Sequence, residues 1–200
     1  MEPTDADIHV IILAAGASRR FGRPKQLARI GGVPMLQLAM SRAQAFAGPA
    51  VTVVLGANAA DIVQGLSRSG VSVVVSRDWD EGIASSIRAG IKSLSSQSAA
   101  ALLMLADQPA VTSSDLQRLA DSWRRDERAI AAARYGDGCG VPAIFPRSYF
   151  PLLLGLRGDR GAQALLRSPR SHCSAVPMPS AVLDVDTPED LPGGPERSAG

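Results

Sequence analysis

Short apolar runs alternate with longer stretches of helical spacing along almost the whole chain, which predicts strands and helices in turn. Residues 9–13 form the first run, a buried strand ended by small residues. Pro34 suits a first helical turn, Met35, Leu36, Leu38 and Ala39 carry apolar positions towards Ala45, and Gly48 with Pro49 stops this helix before a strand at 51–55. A second helix is expected over 59–67 and a third strand over 71–75, after the turn at Gly70. Ile87 and Ile91, four apart, mark a helix over 84–94, and residues 101–105 read as the next buried strand. Thr112, three residues before Asp115, is placed to cap a helix through Trp123. Strands are expected over 129–133, 141–145 and 182–185, with helical stretches over 149–156 and 162–167.

Strands separated by helical intervals of this length predict an α/β fold: a mostly parallel sheet covered by helices on both faces, a three-layer α/β/α arrangement. Ligands of such sheets lie outside the carboxyl ends of the strands, so residues just after Leu13, Leu105 and Val185 are where chemistry is to be sought.

Composition narrows the classes. The chain has 200 residues, 46% hydrophobic and 20% charged, enough to bury a core, and residues 1–191 are expected to form a single domain. The remainder, 192–200, is rich in Pro, Gly and Ser and is expected to be disordered. Lys plus Arg is 21 and Asp plus Glu is 19, a net +2 that argues against nucleic-acid binding. Two cysteines and two histidines make no zinc pattern and no disulfide framework. The acidic start MEPTDAD is unlike a signal peptide and no apolar run is long enough for a bilayer, so a cytoplasmic protein without a membrane partner is expected.

The first strand is followed by Ala14-Ala15-Gly16-Ala17-Ser18-Arg19-Arg20-Phe21-Gly22-Arg23-Pro24-Lys25. Small residues there let backbone N–H groups approach an anion, and Arg19, Arg20, Arg23, Lys25 and Arg29 follow without one acid. The stretch reads as a phosphate cradle or, more simply, as a Gly-rich turn before a solvated basic loop. Its spacing matches neither G-x-x-x-x-G-K-[ST] nor G-x-G-x-x-G. After the strand at 101–105, Asp107 precedes Pro109, which either holds one carboxylate as a hard Mg²⁺ ligand or merely starts a turn. In Leu183-Asp184-Val185-Asp186-Thr187-Pro188-Glu189-Asp190, Asp186 is a candidate second ligand, while Thr187 and Pro188 make a helix start.

These segments resemble the MobA-like nucleotidyltransferase family and, within it, the molybdenum cofactor cytidylyltransferase (MocA-type) branch: LAAGASRRFGRPKQL is similar to its signature loop, DQP to its metal motif and DVDTPED to its DIDTPED segment. The similarity spans about residues 8–191 and extends to Trp79-Asp80-Glu81-Gly82-Ile83-Ala84-Ser85-Ser86, Gly140-Val141-Pro142-Ala143-Ile144-Phe145 and Gly158-Asp159-Arg160-Gly161-Ala162. Phe21 stands where Met is common in the family, an exchange that keeps an apolar anchor.

The resemblance implies a Rossmann-like nucleotidyltransferase fold. It further implies that Leu13, Ala14, Ala15, Gly16, Ser18, Arg19, Arg20 and Lys25 hold the triphosphate, with Gly82, Ser85, Ser86 and Asp107 also near the nucleotide. Lys25, Arg20 and Asp107 would be catalytic, and Asp107 with Asp186 would hold Mg²⁺. The Gly140 and Gly158 segments would belong to the acceptor side. The nucleotide would be CTP, the acceptor a molybdopterin carrying molybdenum, and the recipient a molybdoenzyme of the xanthine dehydrogenase type. Another NTP or acceptor, or a non-catalytic cofactor carrier, are the alternatives.

Other readings are structural. Ser85 and Ser86 are also placed to cap the helix that follows them, and Trp79 and Trp123 read as core or groove packing. Arg124, Arg125 and Arg128 read as a solvated helix end, and spacing does not bring Cys139 to His172.

Overall fold

The structure, a computed structural model, describes residues 7–66, 70–168 and 171–191. In chain order the elements are β1 (Ile8–Ala14), β2 (Arg29–Ile30), β3 (Val33–Pro34), α1 (Met35–Ala47), β4 (Val51–Leu55), α2 (Ala59–Gly65), β5 (Ser72–Val75), α3 (Ile83–Lys92), β6 (Ala100–Leu105), α4 (Ser113–Arg125), β7 (Ile130–Tyr135), β8 (Gly138–Pro146), α5 (Phe150–Leu154), α6 (Gln163–Leu166) and β9 (Cys173–Pro177). Seven strands form one sheet in the order β5-β4-β1-β6-β8-β7-β9, while β2 and β3 make a small antiparallel ribbon. In the large sheet only β8 runs against the rest, pairing antiparallel with both β6 and β7.

Alternation along the strands sorts the two faces. Val10, Ile12 and Ala14 of β1 pack with Leu102 and Met104 of β6 against α1, α2 and α4, whereas Ile11, Leu13, Ala101 and Leu103 pack against α3, α5 and α6. The result is the expected Rossmann-like three-layer α/β/α sandwich. The chain moves outward from β1 through β4 to β5, then returns to β6 on the other side of β1. Strand order therefore reverses between β1 and β6, and a crevice opens at their carboxyl ends.

Thr112 caps α4 as its spacing indicated: the Asp115 amide donates to Thr112 Oγ1 at 3.2 Å, and the Thr112 amide donates to Asp115 Oδ2 at 2.9 Å. The expected end of the second helix, Ser67, and the expected disordered tail, 192–200, lie outside the described residues.

One expected strand does not form. Residues 179–182 make a 3₁₀ turn and the chain continues irregularly to Asp186. The apolar run there reads as a strand, yet Val182 and Leu183 face solvent at 59% and 40% exposure while Val185 is fully buried. The last strand is β9, parallel to β7 at the sheet edge. Its residues are half-buried or exposed and it stops at Pro177, so its apolar pattern is faint in sequence.

Candidate active site

The loop after β1 is shaped from within. Gln26, only 3% exposed, donates from Nε2 to the carbonyls of Ala14 at 2.8 Å and Gly16 at 3.1 Å, and accepts from Ser18 Oγ at 3.2 Å. The Lys25 amide donates to Ser18 Oγ at 3.1 Å, and Ser18 is left-handed at φ 54°. Among the described residues the amides of Gly16 to Arg20 make no hydrogen bond to protein, so the loop presents unspent N–H donors to the crevice. Sequence reasoning missed Gln26, although it lies inside the quoted loop. Its burial, which only the fold reveals, is the signal.

A small apolar cluster of Phe21, Ala28, Met35 and Val185 ties this loop to the segment near the end of the chain. The Val185 amide donates to the Asp107 carbonyl at 2.9 Å. Gln108, also 3% exposed, donates from Nε2 to the carbonyls of Val141 and Ala181, at 3.3 and 3.0 Å. The Asp186 region is therefore held against the end of β6 without strand pairing.

Lys25 is the meeting point. Its Nζ donates to Asp107 Oδ2 at 2.6 Å, to Asp186 Oδ1 at 2.9 Å and to the Val185 carbonyl at 2.9 Å. Arg20 reaches the other Asp186 oxygen, Oδ2, at 2.8 Å. Burial alone would lower the Lys25 pKa, but the charges and hydrogen bonds of Asp107 and Asp186 outweigh it and raise the value. The hydrogen bond from Lys25, helped by the charge of Arg20, holds the Asp186 carboxyl below its ordinary range. Asp184 is shifted the other way, upward, by burial and by the neighbouring charge of Asp107. Thr187 donates from its amide and its hydroxyl to Asp190 Oδ2, at 2.8 and 2.9 Å, so the helix start forms as expected and leaves the Asp186 carboxylate outside the cap.

Among the described residues two buried polar atoms of this region are left over, Asp107 Oδ1 and Gln108 Oε1. Asp107 Oδ1 is buried and has no hydrogen-bond partner. A buried carboxylate oxygen without a donor is costly, and a divalent cation beside it would satisfy it. Among the described residues no three His, Cys, Asp or Glu side chains gather to hold a metal by themselves. Two carboxylates that leave the remaining positions to water and phosphate oxygens suit Mg²⁺, and the donor set fits it.

The crevice is a cleft of about 500 Å³. It is lined by Leu13, Ala14, Ala15, Gly16, Ser18, Arg19, Lys25, Gly82, Ser86 and Asp107, all of which the sequence had singled out. Arg20 and Asp186 stand outside this lining and join the site through Lys25 and each other. Ser85 is not brought to the cleft: its hydroxyl donates to the Gly82 carbonyl at 2.9 Å and accepts from Ser76 Oγ at 3.3 Å. Neither serine caps α3, whose N-cap is Gly82 with no side-chain cap. The lining also includes Trp79 and Asp80, from the segment whose resemblance puts it near the nucleotide, and Asp159, from the segment it puts on the acceptor side. Trp79 enters because Gly56 lets it close in; a Cβ there would lie 2.7 Å from the Ala15 carbonyl oxygen.

The remaining readings resolve structurally. Arg23 stacks over the Phe21 ring at 5.8 Å, and Trp123 is core at 2% exposure. His172 Nδ1 lies 3.4 Å from Asp126 Oδ2, and among the described residues no hydrogen bond joins it to Cys139. Burial and the neighbouring Cys139 push the Cys173 thiol up to about 11, the wrong direction for a nucleophile.

Among the described residues no thiol or histidine is activated beside the cleft, and a loop of unpaired amides stands with Lys25 and its two carboxylates at the strand reversal, the arrangement of a nucleotidyltransferase. The chain belongs to the MobA-like NTP transferase domain family, which matches residues 10–175. It is 32% identical to nicotine blue oxidoreductase of Paenarthrobacter nicotinovorans over 194 residues, covering 90% of this chain and 93% of that protein. The crystal structure of Rv0371c from Mycobacterium tuberculosis H37Rv is 33% identical with a TM-score of 0.80, covering 94% of this chain and 96% of that one. A manganese complex of Rv0371c matches at 32% identity and a TM-score of 0.76, covering 92% and 95%. No helix of the described residues is long and apolar enough to cross a membrane.

Proposed function

We propose that this nucleotidyltransferase transfers CMP from CTP to the terminal phosphate of molybdenum-loaded molybdopterin, giving molybdopterin cytosine dinucleotide and pyrophosphate in the cytoplasm. The observation that carries the reaction type is the convergence of Asp107, Asp186 and Lys25 beside a loop of unpaired amides. The choice of CTP and of the acceptor rests on the MocA-like motifs LAAG, DQP and DVDTPED.

An acceptor phosphate oxygen attacks the α-phosphorus in line, the bond from that phosphorus to the bridging oxygen breaks, and pyrophosphate leaves with the electron pair. The loop amides, Arg19, Arg20 and Lys25 neutralise the triphosphate and stabilise the charge of the departing pyrophosphate. Asp107 and Asp186 would hold Mg²⁺, which when bound supplies Lewis-acid polarisation of a phosphoryl oxygen. An acceptor already ionised needs no general base, so the cleft functions without a histidine. The manganese complex of Rv0371c supports a divalent-cation requirement.

The test is pyrophosphate release with Mg²⁺ and each of CTP, GTP, ATP and UTP, with and without molybdenum-loaded molybdopterin. Release confined to CTP with that acceptor is expected. Release with another NTP would correct the base, and release with other phosphates the acceptor. NTP binding without release, alongside transfer of the finished cofactor to a molybdoenzyme of the xanthine dehydrogenase type, would make the protein a carrier. The name of the Paenarthrobacter relative denotes redox chemistry. Oxidation or reduction of a dye substrate by an added redox partner, with no pyrophosphate release, would move the assignment there.

A further inference from the structure

The cleft lining divides by charge. Arg19 and Lys25 come from the loop after β1, while Asp80 and Asp159 approach Gly82 at the start of α3. The third carboxylate of the lining, Asp107, is paired with Lys25, whereas Asp80 and Asp159 make no ion pair among the described residues, so they repel phosphate and suit a different part of the ligand. A carboxylate is an acceptor only, and what it seeks is an N–H or O–H.

Asp159 is the better placed of the two. The Gly158 carbonyl accepts from the Ala84 amide at 3.1 Å, which pins the turn carrying Asp159 to the first turn of α3. Gly82, at φ +107°, leaves the space the carboxylate occupies; a Cβ there would collide with Asp159 Oδ1 and with the Gly158 carbonyl. Asp159 is exposed, and among the described residues it makes no hydrogen bond and no ion pair, so only water competes for its carboxylate where it lines the cleft. An independent observation lies on the same helix. Ser86 is 3% exposed, lines the cleft and makes no side-chain hydrogen bond among the described residues. Its hydroxyl, which no group among those residues engages, is left to the cleft and whatever binds there.

We infer that Asp159 is a specificity-determining residue whose carboxylate accepts a hydrogen bond from a neutral donor on the nucleoside half of the bound nucleotide, either the exocyclic amino group of the base or a ribose hydroxyl. Ser86 lies on the same wall and completes the polar surface for that half. The inference rests on the nucleotidyltransferase reading and deepens it. The resemblance puts the Gly158 segment on the acceptor side; Asp159 lines the same cleft as the loop after β1, and the inference departs from that expectation.

Calorimetric titration of the full chain with CTP, UTP, 2′-deoxy-CTP and 3′-deoxy-CTP tests it, on wild type, Asp159→Ala and the near-isosteric Asp159→Asn. The alanine variant is expected to bind CTP about 10- to 100-fold more weakly, the range for a lost hydrogen bond to a charged group. Asp159→Asn, which keeps one oxygen acceptor, is expected to fall between. A loss for CTP but not UTP identifies the amino group as donor. Equal losses for CTP and UTP that vanish with one deoxy analogue identify that hydroxyl. Affinities unchanged for all four ligands, with or without a lower melting temperature, would overturn the inference and leave Asp159 a structural neighbour of α3. Wild type binding no nucleotide at all would overturn the nucleotidyltransferase reading, a distinct result.

Discussion

Lys25 Nζ stands 2.6 Å from Asp107 Oδ2 although 82 residues separate them in the chain. The same ammonium holds Asp186, from near the other end of the described residues, at 2.9 Å. Its three protons go to two carboxylates and the Val185 carbonyl, so one cation organises the loop after β1, the end of β6 and the segment before Thr187.

Lys25→Met removes that cation. In metal-free protein the Asp186 carboxyl is expected to titrate higher in the variant, because the hydrogen bond from Lys25 is the main cause of its depressed value. Carbon-13 NMR titration of the aspartate carboxyls reads the shift, and an unmoved Asp186 would contradict the geometry. Pyrophosphate release is expected to fall about 100-fold, the order observed when one charge-stabilising donor is lost.

Asp107→Asn keeps the shape of the side chain and removes its charge. The buried Oδ1, which has no protein partner, then offers a cation only a weak amide ligand. Metal-dependent pyrophosphate release is expected to be lost while nucleotide binding without metal persists, as separate calorimetric and turnover measurements would show. Release at the wild-type rate would take Asp107 out of the reaction.

Gly82→Ala meets two obstacles at once, a backbone at φ +107° and the Asp159 carboxylate in the space of the new methyl. Left-handed strain in a residue with a Cβ costs about 1–3 kcal/mol. Urea denaturation is expected to show a loss of that order, accompanied by weaker CTP binding as Asp159 is displaced. Stability equal to wild type would mean that the α3 start adjusts freely.

Asp115 links the fold to the site. It is 8% exposed and accepts from the Thr112 amide and hydroxyl at 2.9 Å, from Ser180 Oγ at 2.9 Å and from Arg118 at 2.5 Å. Burial opposes its ionisation, but the bonds from Thr112, Ser180 and Arg118 prevail and lower its pKa. A depressed carboxyl stabilises the fold above its ordinary titration range and loses that contribution as pH falls through the folded value. Asp115→Ala is expected to cost about 1–2 kcal/mol at pH 7, the upper range for a lost cap. The gap to wild type is expected to shrink towards pH 3, which denaturant curves at the two pH values would check. A gap independent of pH would assign the loss to packing alone.

The sequence by itself determined the alternation of elements, because buried strands and amphipathic helices leave local signatures that survive without any partner in view. β4 at Val51–Leu55 has the expected limits, and the Thr112–Asp115 cap depends only on residues three apart. The loop after β1 and the two aspartates stood out in sequence because each lies in a short stretch that carries the family resemblance. What tertiary structure decided was everything that depends on distant neighbours. The faint pattern at Cys173–Pro177 becomes β9 because β7 offers it a parallel edge, whereas 182–185, a stronger apolar run, is held by Gln108 and the Asp107 carbonyl and never pairs. Gln26, Trp79 and Asp159 lie in segments that the resemblance marks, yet no spacing places their side chains at the cleft. They reach it through the fold of the loop, the missing Cβ of Gly56 and the missing Cβ of Gly82, and a close approach between segments is set by packing, to which sequence spacing is blind.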